Sequence, residues 1–129
     1  MYKFSHNPDK ILLMDTLISS LQENLRQFAR ERDWEQFHNP KNLAMALTVE
    51  AGELQEIFQW LTEQQSYDLN VQQRQHVQEE MADVLLYLCR LADVLNIDLQ
   101  EAAFTKLKRN AEKYPADQVR GKSTKYTEY

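Results

Sequence analysis

Glycine is nearly missing from this chain, with 2 in 129 residues against roughly 7% in average proteins. Glycine-rich phosphate loops, dinucleotide-binding fingerprints and multi-hairpin β folds therefore have almost no raw material. Any phosphate must be held by other means. A lone Cys89 cannot build a disulfide framework, which fits a reducing compartment. No run approaches the roughly 20 apolar residues of a membrane span, and the first residues, MYKFSHNPDK, lack a signal-peptide apolar core. The expectation is a soluble cytoplasmic protein with no membrane partner, forming one domain or one subunit of something larger.

Positive charge is also scarce where negative charge gathers. The formal net charge is −5, which argues against nucleic acid as a partner of the whole surface. From Glu50 to Asp83 there are eight acids against Arg74 alone, whereas from Glu101 onward seven bases face four acids. An acidic middle can hold cations and a basic end can meet an anion, although acids and bases also simply solvate helix faces.

What the chain has in abundance is helical periodicity. Ile11, Leu12, Met14, Leu17, Ile18, Leu21, Leu25 and Phe28 recur at steps of three and four, predicting a helix over roughly 9–32 with Asn7-Pro8-Asp9 as its start. Asn39-Pro40 launches a second helix that carries Leu43, Ala44, Leu47, Ala51, Leu54, Ile57, Phe58 and Leu61. TEQQSYDLN reads as a connector. The third helix is expected over about 70–95, Asn96 as its stop and Asp98 as the N-cap of a fourth that runs to Pro115. No window alternates with period two. The fold class is therefore all-α, four antiparallel helices in a bundle over residues 1–115, followed by a basic tail, residues 116–129, that is either a flexible end or an arm. The core is modest for this size, so self-association would add burial.

Two segments carry the sharpest chemical signal, Glu50-Ala-Gly-Glu53 and Glu80-Met-Ala-Asp83. Acids three apart on a helix lie about 4.5 Å along the axis and roughly 60° apart, so each pair projects from one face and repels itself. If the second and third helices pack antiparallel, Glu50, Glu53, Glu80 and Asp83 can present four hard oxygen donors to one spot, a set suited to Mg²⁺ or Mn²⁺. Glu56 and Glu79 extend the same neighbourhood. A rival metal reading is the Glu35-x-x-His38 spacing of di-iron bundles, which occurs once where such bundles need it twice. Cys89, within LLYLCRLADVL, reads as a small buried hydrophobe. Gly52, between the two acids of the first pair, would let a neighbouring helix or ligand approach closely, and Gly121 would let the tail bend.

The runs EAGELQEIFQW and EEMADVLLYL resemble the core of the MazG-like all-α nucleoside triphosphate pyrophosphohydrolases. With RDWEQFHNPKNLAMAL, IFQWLTE, KYPA and KSTKYTE, the chain is similar to the dCTP pyrophosphatase branch from about Leu21 to Glu128. The resemblance implies Mg²⁺-dependent hydrolysis of a (deoxy)nucleoside triphosphate, dCTP or a modified dCTP, between the α and β phosphates. It implies metal ligands at Glu50, Glu53, Glu80 and Asp83; of these carboxylates, Glu53 first and then Glu50 are the expected catalytic groups that orient or deprotonate the attacking water. It further implies base-enclosing aromatics at Trp34, Trp60 and Tyr87, sugar and phosphate contacts at Asn110, Lys106, Lys122 and Lys125, and a homodimer or homotetramer with sites at subunit contacts. Two positions depart from the pattern: Val49 stands where many members carry an acid, and Leu25 stands where the animal branch has a pocket histidine. From the residues alone, the competing reading is a non-catalytic helical module with an acidic cation-binding face.

Overall fold

The computed structural model describes residues 16–128, and every regular element among them is helical. The order is α1 (Leu17–Glu31), a 3₁₀ turn at Glu35–Phe37, α2 (Pro40–Phe58), α3 (Glu63–Tyr67), α4 (Val71–Val94), α5 (Leu99–Lys113), α6 (Ala116–Val119) and a 3₁₀ turn at Tyr126–Glu128. No helix among the described residues is long and apolar enough to cross a membrane. The chain divides into two compact units, one ending at Asn96 and the other beginning at Ile97.

In the first unit, polar caps set the helix starts. Thr16 Oγ1 accepts the Ser19 backbone N–H at 3.1 Å, so α1 begins at Leu17; the expected start at Asn7-Pro8-Asp9 and the apolar residues 11–14 lie outside the described residues. Asn39 Oδ1 accepts the Asn42 N–H at 2.9 Å with Pro40 opening α2, as the sequence predicts. Reciprocal capping boxes, Thr62 with Gln65 and Asn70 with Gln73, open α3 and α4. Each cap is worth about 1 kcal/mol. The connector thus holds a short helix that the hydrophobic pattern alone does not reveal, and α2 ends at Phe58, leaving Trp60 and Leu61 in the turn that follows.

Cross-links show how the helices run. His38, just before α2, meets Arg90, while Glu50 meets Glu80 and Asp83; higher numbers on α2 face lower numbers on α4, so the two are antiparallel. Gln22 Nε2 donates to the Cys89 carbonyl at 2.9 Å, and Arg26 reaches Asp93 at 2.7 Å, so α1 runs parallel to α4. Helix α4 is the shared spine, packing against both α2 and α1. Among the described residues the enclosed apolar positions are few, namely Ala29, Leu43, Cys89 and Ala92. Leu21, Leu25, Leu47, Leu54, Ile57, Val77, Val84 and Leu91, from the expected stripes, are half-buried, and Met45, Val49, Met81, Leu85 and Leu88 are exposed.

The second unit opens where the sequence places its stop and start. Asn96 takes a left-handed conformation (φ 54°) after α4, and Asp98 Oδ1 accepts the Glu101 N–H at 2.9 Å to cap α5. Gly121 adopts φ 75°, a conformation that favours glycine. The segment after α5 turns back on that helix's end: Tyr126 packs edge-on to Tyr114 with ring centres 6.0 Å apart, and Lys113 Nζ sits 3.9 Å above the Tyr126 ring.

Candidate functional site

Antiparallel packing of α2 on α4 brings acids of both helices together. Carboxylate oxygens of Glu50, Glu80 and Asp83 all lie within 4.8 Å of one another. Water cannot separate these charges fully, because Glu50 and Glu80 are half-buried and one Glu80 oxygen, Oε2, is enclosed with no hydrogen-bond partner among the described residues. Burial, helped by hydrogen bonds to Glu80 and Glu53 and by the charges of Glu53 and Asp83, pushes Glu50 from its ordinary 4.5 up to about 7. An orphaned carboxylate oxygen beside a carboxyl that gives up its proton only near neutrality is an arrangement short of positive charge. All the donors are hard oxygens, the ligand type of Mg²⁺, Mn²⁺ and Ca²⁺. Glu53 is exposed; it lies close enough to raise the Glu50 pKa but does not belong to the converging trio.

Asp83 also faces a second feature, a cavity of about 430 Å³ between α1, α4 and the turn before α2. Leu21, Leu25, Phe28 and Leu86 give it apolar walls, Trp34 and Tyr87 add aromatic faces, and Asn24, His38 and Arg90 bring polar groups. Trp34 stands edge-on to Phe28, with ring centres 5.7 Å apart, and to His38 at 6.4 Å. A mostly apolar cleft with a few convergent polar groups is the usual form of a small-molecule site.

Beyond the cavity, α4 carries a chain of alternating charge. Arg26 pairs with Asp93 at 2.7 Å, Asp93 lies 3.4 Å from Arg90 Nη1, and Arg90 Nε donates to His38 Nδ1 at 3.1 Å. The Arg90 side chain is only 9% exposed. Burial and the neighbouring Arg90 charge hold His38 below its ordinary value, against the opposing pull of Glu35.

Of the residues singled out in the sequence, Glu50, Glu80 and Asp83 converge, and Trp34 and Tyr87 line the adjoining cavity. Trp60 does not line it; it follows the end of α2 and is 88% exposed. Asn110, Lys106, Lys122 and Lys125 belong to the second unit. There Lys106 shares a shallow groove with Asp98, Glu101 and Arg109, Asn110 is half-buried, and Lys122 and Lys125 are exposed. A Cβ at Gly52 would meet nothing within 4 Å, so the close approach expected there is not made by the described residues of this chain. Glu35 and His38 form no cluster with other ligand-type side chains among the described residues, and Cys89 is buried with its thiol pushed up by that burial.

Sequence reasoning passed over His38 and Arg90 as cavity residues. A signal was present for Arg90, the single charge inside the apolar run LLYLCRL. An arginine inside an apolar stripe is buried with a partner or breaks the stripe.

Three comparisons bear on this site. A MazG-like family profile matches residues 45–129. Human dCTP pyrophosphatase 1 is 41% identical over 128 residues, covering 98% of this chain and 72% of that protein. Its mouse counterpart is 46% identical over 104 residues, which are 79% of this chain and 61% of the mouse protein. Among solved structures, a pyrophosphatase from Archaeoglobus fulgidus superimposes with a TM-score of 0.69 at 36% identity, covering 89% of this chain and 99% of the other. Sequence profile, relatives and solved structure agree with one another, and the chain belongs to the MazG-like family.

Proposed function

We propose that this nucleoside triphosphate pyrophosphohydrolase acts on dCTP or a modified dCTP, releasing the monophosphate and pyrophosphate, with Mg²⁺ as its ion and Mn²⁺ as a substitute. The observation that supports this most directly is the double role of Asp83, which belongs to the acidic trio and also lines the cavity. A base seated among Trp34, Tyr87 and Phe28 would then place its phosphates toward the acids. Those acids cannot attract a triphosphate by themselves. A divalent cation held by Glu50, Glu80 and Asp83, with Glu53 at its edge, would supply the positive charge that offsets the phosphates and favours ionisation of a nearby water.

The chain's own groups account for the rest. Glu53, exposed next to Glu50, accepts the proton of the water that attacks the α-phosphorus, and the bond from that phosphorus to the bridging oxygen breaks as pyrophosphate leaves. Lys106, Lys122 and Lys125 are proposed to meet the negative charge of the leaving group, and Asn110 the sugar. Trp60 is proposed as a base-enclosing aromatic supplied across a subunit contact, consistent with its exposure in a single chain. Assembly as a homodimer or homotetramer is proposed because Met45, Val49, Met81, Leu85 and Leu88 leave α2 and α4 with exposed apolar surface. A free, buried Cys89 is consistent with work in the reducing cytoplasm. A non-catalytic module with an acidic face has no need of the aromatic cleft.

A panel of canonical and 5-modified deoxynucleoside triphosphates compared by kcat/KM tests the substrate. The expected order places cytosine nucleotides at least tenfold ahead of dATP and dGTP; equal values across the panel would overturn the base assignment.

A further inference from the structure

Arg90 is a buried cation on which the proposed hydrolysis makes no demand. Its Nε donates to His38 Nδ1 at 3.1 Å, its Nη1 lies 3.4 Å from Asp93, and Asp93 is itself held by Arg26 at 2.7 Å. A guanidinium only donates. His38 Nδ1 must therefore be the accepting, unprotonated nitrogen, and the proton of the neutral ring sits on Nε2. Both Arg90 and His38 line the cavity. With Nδ1 occupied, Nε2–H is the ring's remaining polar edge.

We propose that Arg90 is a positioning residue for base recognition: it locks His38 as a neutral Nε2–H donor in the cavity wall, so that the pocket favours a base offering a carbonyl oxygen or an unprotonated ring nitrogen there. This rests on the nucleotide reading above. Three features of the fold support it. The Arg26–Asp93–Arg90 chain ties the guanidinium to α1 and α4, so it cannot swing away without leaving Asp93. Trp34 stands edge-on to the imidazole, with ring centres 6.4 Å apart, and adds a second contact to the ring beside Arg90. The charged groups that face His38 are Arg90 from α4, Glu35 from its own turn and Asp83 across the cavity, and burial with Arg90 outweighs Glu35, which keeps the ring neutral. A protonated His38 would have no free acceptor for Arg90 and would set two cations against each other, so the couple resists protonation by its geometry.

The couple can be read in the unmodified protein. Nitrogen-15 NMR of His38 in the wild-type chain should show the proton on Nε2 and a ring that remains neutral at pH 6.5. Protonation on Nδ1, or a ring mostly charged at that pH, would overturn the proposal whatever any variant does. Arg90→Met should raise the His38 pKa toward its ordinary value, though burial still holds it below that value; KM for dCTP should rise about tenfold and become pH-dependent as the ring titrates, while kcat changes less than about threefold. Arg90→Lys, which keeps a cation near Asp93, should fold and recover only part of the KM. Loss of kcat with KM and its pH profile unchanged in either variant would assign Arg90 a purely structural part and overturn the recognition role. No turnover of any nucleotide by the wild-type protein would instead sink the nucleotide reading, with the NMR result still deciding the Arg90–His38 couple.

Discussion

Helix α4 carries two charged regions of opposite character, one short of compensating charge and the other balanced, and only the first is proposed to hold a cation. Near its middle, Glu80 and Asp83 meet Glu50 of α2, like charge against like, with one oxygen of Glu80 left without a partner. Two turns on, Arg90 and Asp93 alternate with Arg26 and close on His38. The second region is complete within the chain. The first leaves negative charge unbalanced among the described residues, and that imbalance is the ground for proposing it as a cation site.

Substitutions at the two regions should therefore differ in kind. Glu80→Gln and Asp83→Asn are each expected to lower kcat/KM by a factor of about 10³ or more, measured with dCTP and Mg²⁺. The same changes relieve repulsion, so the metal-free variants should melt no lower than wild type, and Glu80→Gln higher. A variant that melts much lower without metal would make the trio structural. Asp93→Asn should show the reverse pattern. It removes the anion between two arginines, one of them buried, and should cost about 3 kcal/mol of stability, read by chemical denaturation, with a smaller loss of activity.

The pH response sharpens the same contrast. Glu50 ionises near 7 in the folded chain and near its ordinary 4.5 when unfolded. Between these values the folded state holds more protons, so stability must fall as pH rises. Metal-free protein should lose melting temperature from pH 5 to 7 and then level off. Saturating Mg²⁺ competes with that proton, so the decline should flatten and Mg²⁺ affinity should rise across the window. A metal-free melting temperature that climbs through the window would contradict the assignment. The smallest effect is expected at Gly52. A Cβ there meets nothing in this chain, so Gly52→Ala should add up to about 1 kcal/mol to helix stability. A loss of stability or activity would show that a second copy packs against that position.

How far the sequence spoke depended on whether the physics was local. Helices α2, α4 and α5 follow from apolar periodicity and from Asn39-Pro40 and Asp98, because caps act within one turn. Helix α3 hid in a polar connector, where only the Thr62–Gln65 capping box marked it. Spacing placed Glu50 and Glu53 on one face of a helix, but which of the two reaches the trio depends on the crossing of α2 over α4. Arg90 and His38 are 52 positions apart, and no single-helix pattern joins them. Trp34 and Trp60 looked equivalent as aromatics, yet one lines the cavity and the other lies beyond the last turn of α2.

The most direct test follows dCTP hydrolysis by phosphorus-31 NMR with metal-stripped protein, before and after adding Mg²⁺. The account predicts no turnover until Mg²⁺ is present, and then pyrophosphate and dCMP in equal amounts with no orthophosphate as primary product. Turnover that persists in excess chelator, or dCDP and orthophosphate as first products, would contradict it.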